Sequence, residues 1–367
     1  MLSALAADRA RVADIEAQIL LLEHSLLELQ SEKQLAQERL DSYTYPVLML
    51  PNEIVTEIFV HFLPVYPLYP PLTGPGSPTL LAQICREWRD IALATPALWQ
   101  AISLSDRYEV PLHLRLCDMW LSRSRCHPLS LGFDEFALSS SQATDALFAL
   151  IPHRARWQHL HIYALSPSRL DTLQGPMPLL RRLYLSLAKT TDPFAAQVLL
   201  RKMPLLRTVA LNDAAAERLI LPWAQLTSLT MRWLYPRECA PVLQNTLNLV
   251  HCELGLVNDD DEGTPDITLP ALRSLTLMDH SIPGYLETLI VPALHNLRIS
   301  HSFLPFGSID TALASFVSKS SCKLQDLCLT GGRVVSQDPY RKAFPLAKIS
   351  VDDGKIDVRF GIFHCHF

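Results

Sequence analysis

The chain has 367 residues, of which 49% are hydrophobic and 19% charged. The charged share lies below the ~25% of ordinary soluble domains, so wholesale disorder is excluded and most of the chain must fold around a core. A net charge of −5 argues against an electrostatic nucleic-acid binder, and 27 prolines against 12 glycines point to short elements joined by stiff corners.

Charge appears by Asp8 with no long apolar run before it, which argues against a secretory leader. The cleanest periodicity comes next. Val12, Ile19, Leu26, Lys33 and Leu40 fall at heptad position a, and Ile15, Leu22, Leu29 and Ala36 at d. Residues 1–42 are therefore expected to form a coiled-coil helix, leaning towards a parallel homodimer. A single amphipathic helix folded back on its own domain is the alternative.

At Tyr43 the character changes. Residues 45–63 open with Tyr45-Pro46, and then Ile54, Ile58, Phe59 and Phe62 repeat at helical spacing behind Pro51. From Ile58 to Cys85 there is no Asp, Glu, Lys or Arg, but six prolines interrupt the stretch, so no membrane-spanning helix can form there. Leu81, Ile84, Cys85, Trp88, Ile91 and Ala92 mark a second helix, which ends at Thr95-Pro96.

The motifs LPNEIVTEIF (50–59) and CREWRDIALATPALW (85–99) resemble an F-box over Tyr45 to Trp99. The departure from that family is a long Pro-rich insertion, 64–78, between the halves. The stretch CDMWLSRSRCHPLSLGF (117–133) resembles the segment C-terminal to the F-box in proteins with repeat-built C-termini. The resemblance implies a Skp-type adaptor, and through it a cullin, as partners. It assigns adaptor contact to Leu50, Pro51, Ile54, Ile58, Phe59, Ile84, Cys85, Trp88 and Trp99. A small helical unit of this size leaves apolar surface for a partner.

Further on, one phrase returns, (P)xLxxLxL. Its central apolar residues are Leu160, Leu183, Val209, Leu229, Leu247, Leu275, Leu297 and Leu327, at intervals of 18 to 30 residues. These intervals straddle the leucine-rich-repeat period, and period-2 apolar residues suit short parallel strands. Helices are expected between phrases, over 193–202 behind Asp192-Pro193 and from Ser308 over the sequence SIDTALASFVSK.

The expected fold is thus α/β: a coiled-coil helix (1–42), a small all-α F-box (43–100), a helical connector (101–150), a leucine-rich-repeat-like solenoid (151–337) and a cap or tail (338–367). Side-chain alternation turns His161, Tyr163, Arg182, Tyr184, Asn212, Thr230, Arg232, Thr276, Arg298 and Ser300 outward, as candidate contacts for a protein substrate.

Catalytic and cofactor signatures are absent: no GxxxxGK, GxGxxG or GxSxG occurs. The eight cysteines form no CxxC pair, which leaves reduced thiols and a cytoplasmic or nuclear location as the expectation, without metal or cofactor. His159 and His161 read as polar residues on a solvent-facing strand edge. His364, Cys365 and His366 have ligand chemistry but no supporting shell, and Asp259, Asp260, Asp261 and Glu262 read as a solvated loop. The chain is expected to be no enzyme but a substrate receptor of an SCF-type cullin–RING ubiquitin ligase. The alternative is a non-catalytic scaffold outside such a ligase.

Overall fold

The computed structural model describes residues 2–43, 46–104, 110–188, 197–212, 215–257, 265–279, 282, 284–300, 303, 309–330 and 338–352. The expectations for 259–262 and 364–366, and the cap at 192–193, lie outside them. Contacts divide the chain into two units, 1–58 and 59–367.

The first unit is dominated by one helix, α1 (Leu2–Ser42). It holds no proline or glycine and is rich in Ala, Leu, Glu and Gln, residues that lose little on becoming helical. α2 (Asn52–Phe62) begins in this unit behind Pro51 and runs into the second.

In the second unit come α3 (Pro78–Ile84) and α4 (Arg86–Ala94). Ser77 caps α3 by accepting from the Thr79 N–H, with Pro78 fixed in the first turn. Cys85 caps α4, its sulfur accepting from the Trp88 N–H at 3.4 Å. The chain then proceeds through β1 (Ala101–Leu104), α5 (Val110–Arg123), β2 (Leu129–Asp134), α6 (Ser140–Leu150), β3 (Trp157–Leu165), β4 (Arg182–Leu187), β5 (Val198–Leu199) and β6 (Thr208–Asn212). After these lie α7 (Ala215–Arg218), β7 (Leu219–Ile220), β8 (Ser228–Leu234), α8 (Pro236–Gln244), β9 (His251–Leu256), β10 (Ile267–Thr268) and β11 (Ser274–Asp279). The last elements are β12 (Leu289–Ile290), β13 (Asn296–Ser300), α9 (Ile309–Ser320), β14 (Asp326–Thr330), α10 (Asp338–Ala343) and β15 (Lys348–Asp352).

Eleven strands form one sheet in the order β1-β2-β3-β4-β6-β8-β9-β11-β13-β14-β15, and each pair is parallel. No strand is crossed over, so each one pairs with the strands before and after it in the sheet. Its register stacks Leu131, Leu160, Leu183, Val209, Leu229, Cys252, Leu275, Leu297, Leu327 and Ile349 in one row. All but Ile349 are buried. The next inner row runs Phe133, Ile162, Leu185, Leu211, Met231, Leu254, Leu277, Ile299 and Leu329. Burying each such side chain stabilises by about 1.5–3 kcal/mol.

The prolines acquire a role here. Before the strands the chain makes a turn closed by an i to i+3 bond: Leu180 to Met177, Leu206 to Met203, Leu272 to Leu269 and Leu294 to Val291. In these four turns the second residue is Pro178, Pro204, Pro270 or Pro292, whose fixed φ suits that position. First and last residues of each turn are buried, so the Pro-x-Leu phrase is a corner and a core contact at once.

Four expectations change. The stretch 101–150 is no helical connector, because β1 and β2 already belong to the sheet. The sheet continues past 337, with β15 inside the presumed cap. Leu247 is exposed, and Cys252 takes the buried position of that unit. The helix expected over 193–202 is absent from its described part: β5 lies there and pairs with β7. Val198 is buried by that pairing, an instance of tertiary contact overriding a local capping signal. The expected helix from Ser308 is present as α9.

Candidate functional site

Two sets of residues bear on function. In the first unit Leu50, Pro51, Ile54 and Ile58 are exposed, the two isoleucines at 49% and 47%. In the second unit Ile84 is exposed, and Cys85 and Trp88 are half-buried. Phe59 and Trp99, grouped with these from the sequence, lie in the core instead. Phe59 meets the Trp88 ring edge-on at 5.0 Å. The Trp99 indole N–H donates to the Ala92 carbonyl at 2.9 Å, its ring packs edge-on against Trp120 at 5.5 Å, and the Arg123 guanidinium lies 4.5 Å from its centre. These two side chains brace the helices from within and offer no surface for docking.

The second set is the outward face of the sheet, and all ten substrate candidates lie on strands of it. Register aligns His161, Tyr184, Thr230, Thr276 and Arg298 in one row, together with Ala210, Glu253 and Cys328. Arg182 falls in the neighbouring row with His159, Thr208, Ser228, His251 and Ser274. Asn212 and Arg232 pair one position further along, Tyr163 faces Asp134, and Ser300 faces Thr330.

Several of these side chains are engaged with each other. Asn212 Nδ2 donates to the Tyr184 hydroxyl at 2.7 Å. Arg232 pairs with Glu253 at 2.5 Å, and Arg298 with Asp352 at 2.5 Å. The face therefore carries little unbalanced charge at these points. Sequence reasoning did not single out Glu253 or Asp352, because only the register shows that they stand beside arginines.

The Pro-rich insertion provides what the sequence did not disclose. It lies as a strap over the first strands of this face. Tyr66 stacks on His159 at 4.1 Å between ring centres, with planes 28° apart. The Arg182 guanidinium sits 5.1 Å from the centre of the same Tyr66 ring. Tyr69 donates its hydroxyl to the Leu131 carbonyl at 3.1 Å, and it packs against Gly132 so closely that a Cβ there would lie 3.3 Å from its ring. His159 Nδ1 is 2.9 Å from Ser130 Oγ, and His161 meets Tyr184 at 4.0 Å between ring centres.

The two histidines thus lie within the sheet and not on a solvent-facing edge. Burial pushes both down to about 4, and for His159 the charges of Arg182 and Arg181 add to the effect. Shifted in this way, both favour the neutral form at neutral pH. Burial also raises the Tyr66 hydroxyl, in opposition to Arg182, and pushes the Cys117 thiol up to about 12. Such a thiol stays protonated and is a poor nucleophile.

Elsewhere a hollow of about 620 Å³ is lined by residues including Gln197, Arg218, Trp223, Arg237, Glu238 and Asn245. Glu238 is committed to its own helix, accepting from the Tyr235 N–H at 2.9 Å. Among the described residues no group of three or more His, Cys, Asp or Glu side chains could hold a metal ion, and no helix is long and apolar enough to cross a membrane.

No protein-family model matches the chain, and no curated protein matches it closely enough to count as a relative.

Proposed function

We propose that the chain is the substrate-receptor subunit of an SCF-type cullin–RING ubiquitin ligase. In this reading residues 43–100 are an F-box that docks a Skp-type adaptor. The sheet and its connectors are a leucine-rich-repeat-like solenoid that holds a protein substrate. The observation that carries the reading is the exposure of Leu50, Pro51, Ile54 and Ile58, apolar side chains at the F-box motif positions. Apolar residues left in solvent at such positions are what a partner surface requires.

The chain would contribute proximity rather than chemistry. Holding substrate beside a ubiquitin-loaded enzyme converts a bimolecular encounter into an intramolecular one and raises the effective concentration of substrate lysines. The outward face supports the substrate role through Tyr184, Arg232 and Arg298, residue types that often anchor interfaces.

The test is affinity for a Skp-type adaptor, measured on the full chain with Leu50→Ala and Pro51→Ala together. Loss of two anchors of about 2–4 kcal/mol predicts a ~30- to 1,000-fold weaker complex. Unchanged affinity overturns the F-box assignment. Co-purification with a cullin separates a ligase subunit from a scaffold that binds adaptor alone.

A further inference from the structure

Every side chain of α1 from Leu5 to Ser42 is exposed, the heptad seam and the off-seam Leu20, Leu21, Leu27 and Leu35 alike. Val12, Ile15, Ile19, Leu22, Leu26, Leu29 and Leu40 are between 46% and 70% exposed. Exposed seams of this length demand cover, and the charges beside the seam indicate what covers it. Positions g are Arg11, Gln18, Ser25, Glu32 and Arg39, and positions e are Glu16, Glu23, Gln30 and Gln37.

In a parallel pair, g of one helix faces the e position five residues on in the other. Arg11 then meets Glu16 of the second copy, twice by symmetry. Lys33, at an a position, stands beside Glu32 of the second copy, again twice. In an antiparallel pair the g positions face each other, and so do the e positions. The antiparallel alignment that covers the seam from Val12 to Ala36 sets Arg11 against Arg39 and Glu23 against its own copy. It also drives Lys33 onto Ile15. Sliding it back by one heptad brings Arg11 to Glu32 and Lys33 to Asp8, but it sets Glu16 against Glu23 and leaves Leu40 beyond the start of the second helix. Only the parallel alignment covers the whole seam and gives both Arg11 and Lys33 an acid.

Arrangement within the helix agrees. The intrahelical side-chain contacts link Gln18 to Asp14, His24 to Glu28, Gln34 to Glu38 and Gln37 to Asp41. Among the described residues Arg11, Glu16, Glu32 and Lys33 take part in no such contact.

We propose that α1 pairs in parallel with α1 of a second copy of this chain, through Val12 to Leu40, so that the receptor is two-headed. In this register Lys33 faces its own copy with Glu32 of each chain beside it, whereas a one-heptad slip sets it against Leu26 or Leu40, beside Ser25 or Arg39 in place of the acid. The inference rests on residues 2–42 alone, so its failure leaves the proposed function standing.

The test is the mass of the full chain in solution by sedimentation equilibrium. The expected value is twice 41.2 kDa. Leu22→Glu with Leu26→Glu should give a monomer whose cooperative urea unfolding is unchanged, showing that the rest of the chain is folded. Arg11→Glu should weaken dimerisation by about three- to tenfold at low salt, and Arg11→Glu with Glu16→Arg should restore it. A Val12→Cys chain should form an interchain disulfide under mild oxidation beyond any seen for the unaltered chain, because only parallel alignment brings the two copies of position 12 together. A monomeric or higher-order mass overturns the proposal, as does a dimer in which Val12→Cys adds no cross-link.

Discussion

The two ends of the outward face follow the same strand geometry and meet different fates. At β2–β4 the strap lays Tyr66 and Tyr69 over His159 and Gly132 and beneath Arg182, and the face becomes a second, aromatic layer. From β6 to β11 the same rows carry mostly short side chains, Thr208, Ala210, Ser228, Thr230, Ser274 and Thr276, with His251 and Glu253 of β9 the exceptions. The charges there and beyond close on one another, as in Arg232 with Glu253 and Arg298 with Asp352. His161 and Thr230 share a row, yet the histidine packs against an aromatic ring and is held neutral by desolvation. Alternation along a strand decides which way a side chain points. What the chain lays across the sheet decides whether it meets water.

The sharpest way to break this contrast is steric. Gly132→Val pushes a side chain into a space where its Cβ would lie 3.0 Å from Ser103 Oγ and 3.3 Å from the Tyr69 ring. We expect a loss of about 1–3 kcal/mol in denaturant unfolding. Thr230→Val, in the same row at the other end, should change stability by less than about 0.5 kcal/mol. Equal effects would remove the distinction between the ends.

Acid should act through the covered end next. His159 and His161 are lowered in the fold from 6.5 to about 4, so the folded chain resists protons that the unfolded chain accepts. The stability they confer is complete above pH 6.5 and declines as pH falls from there towards 4. His161→Phe keeps an aromatic contact with Tyr184 and removes the titration. Its denaturation midpoint should fall less steeply over that window than that of the unaltered chain. An identical slope would show that His161 titrates normally and is not desolvated.

Tyr69→Phe deletes only the bond to the Leu131 carbonyl, and should cost about 0.5–1.5 kcal/mol in thermal or urea unfolding. Small as well should be the effect of Arg232→Ala in the uncovered part of the face. Its pair with Glu253 is partly solvated, worth below about 1 kcal/mol, and the loss should shrink further in high salt.

Much of the scaffold is legible before folding, for specific reasons. The leucine ladder shows because β4, β6, β11 and β13 each repeat an apolar-x-apolar pair behind a Pro-x-Leu corner, and the helix α1 because nothing in 42 residues breaks it. The strands β1 and β2 are missed because their apolar pairs, Ile102 with Leu104 and Leu131 with Phe133, carry no such corner. Cys252 is missed because a cysteine fills a leucine's place, while Leu247 five residues earlier imitates the phrase. The candidate substrate face is legible as to direction, since all ten residues lie on sheet strands. Its partners are not, because Glu253, Asp352 and Tyr66 are brought in by register or by a distant loop. The strap does leave one trace: a stretch of 28 residues between Glu57 and Arg86, free of Asp, Glu, Lys and Arg, that sets tyrosines among prolines, a composition suited to lying on another surface.

The strap spans three consecutive strands, touching Leu131 on β2, His159 on β3 and Arg182 on β4. Strands in such a sheet lie about 4.8 Å apart, so its reach is matched to a fixed number of them. From β6 to β11 the strands contact mainly their neighbours, and a unit gained or lost there would lengthen or shorten the sheet with little disturbance elsewhere. Before β4 the same event would pull Tyr66 and Tyr69 off their seats. Copy number is therefore constrained more tightly under the strap than in the middle of the sheet.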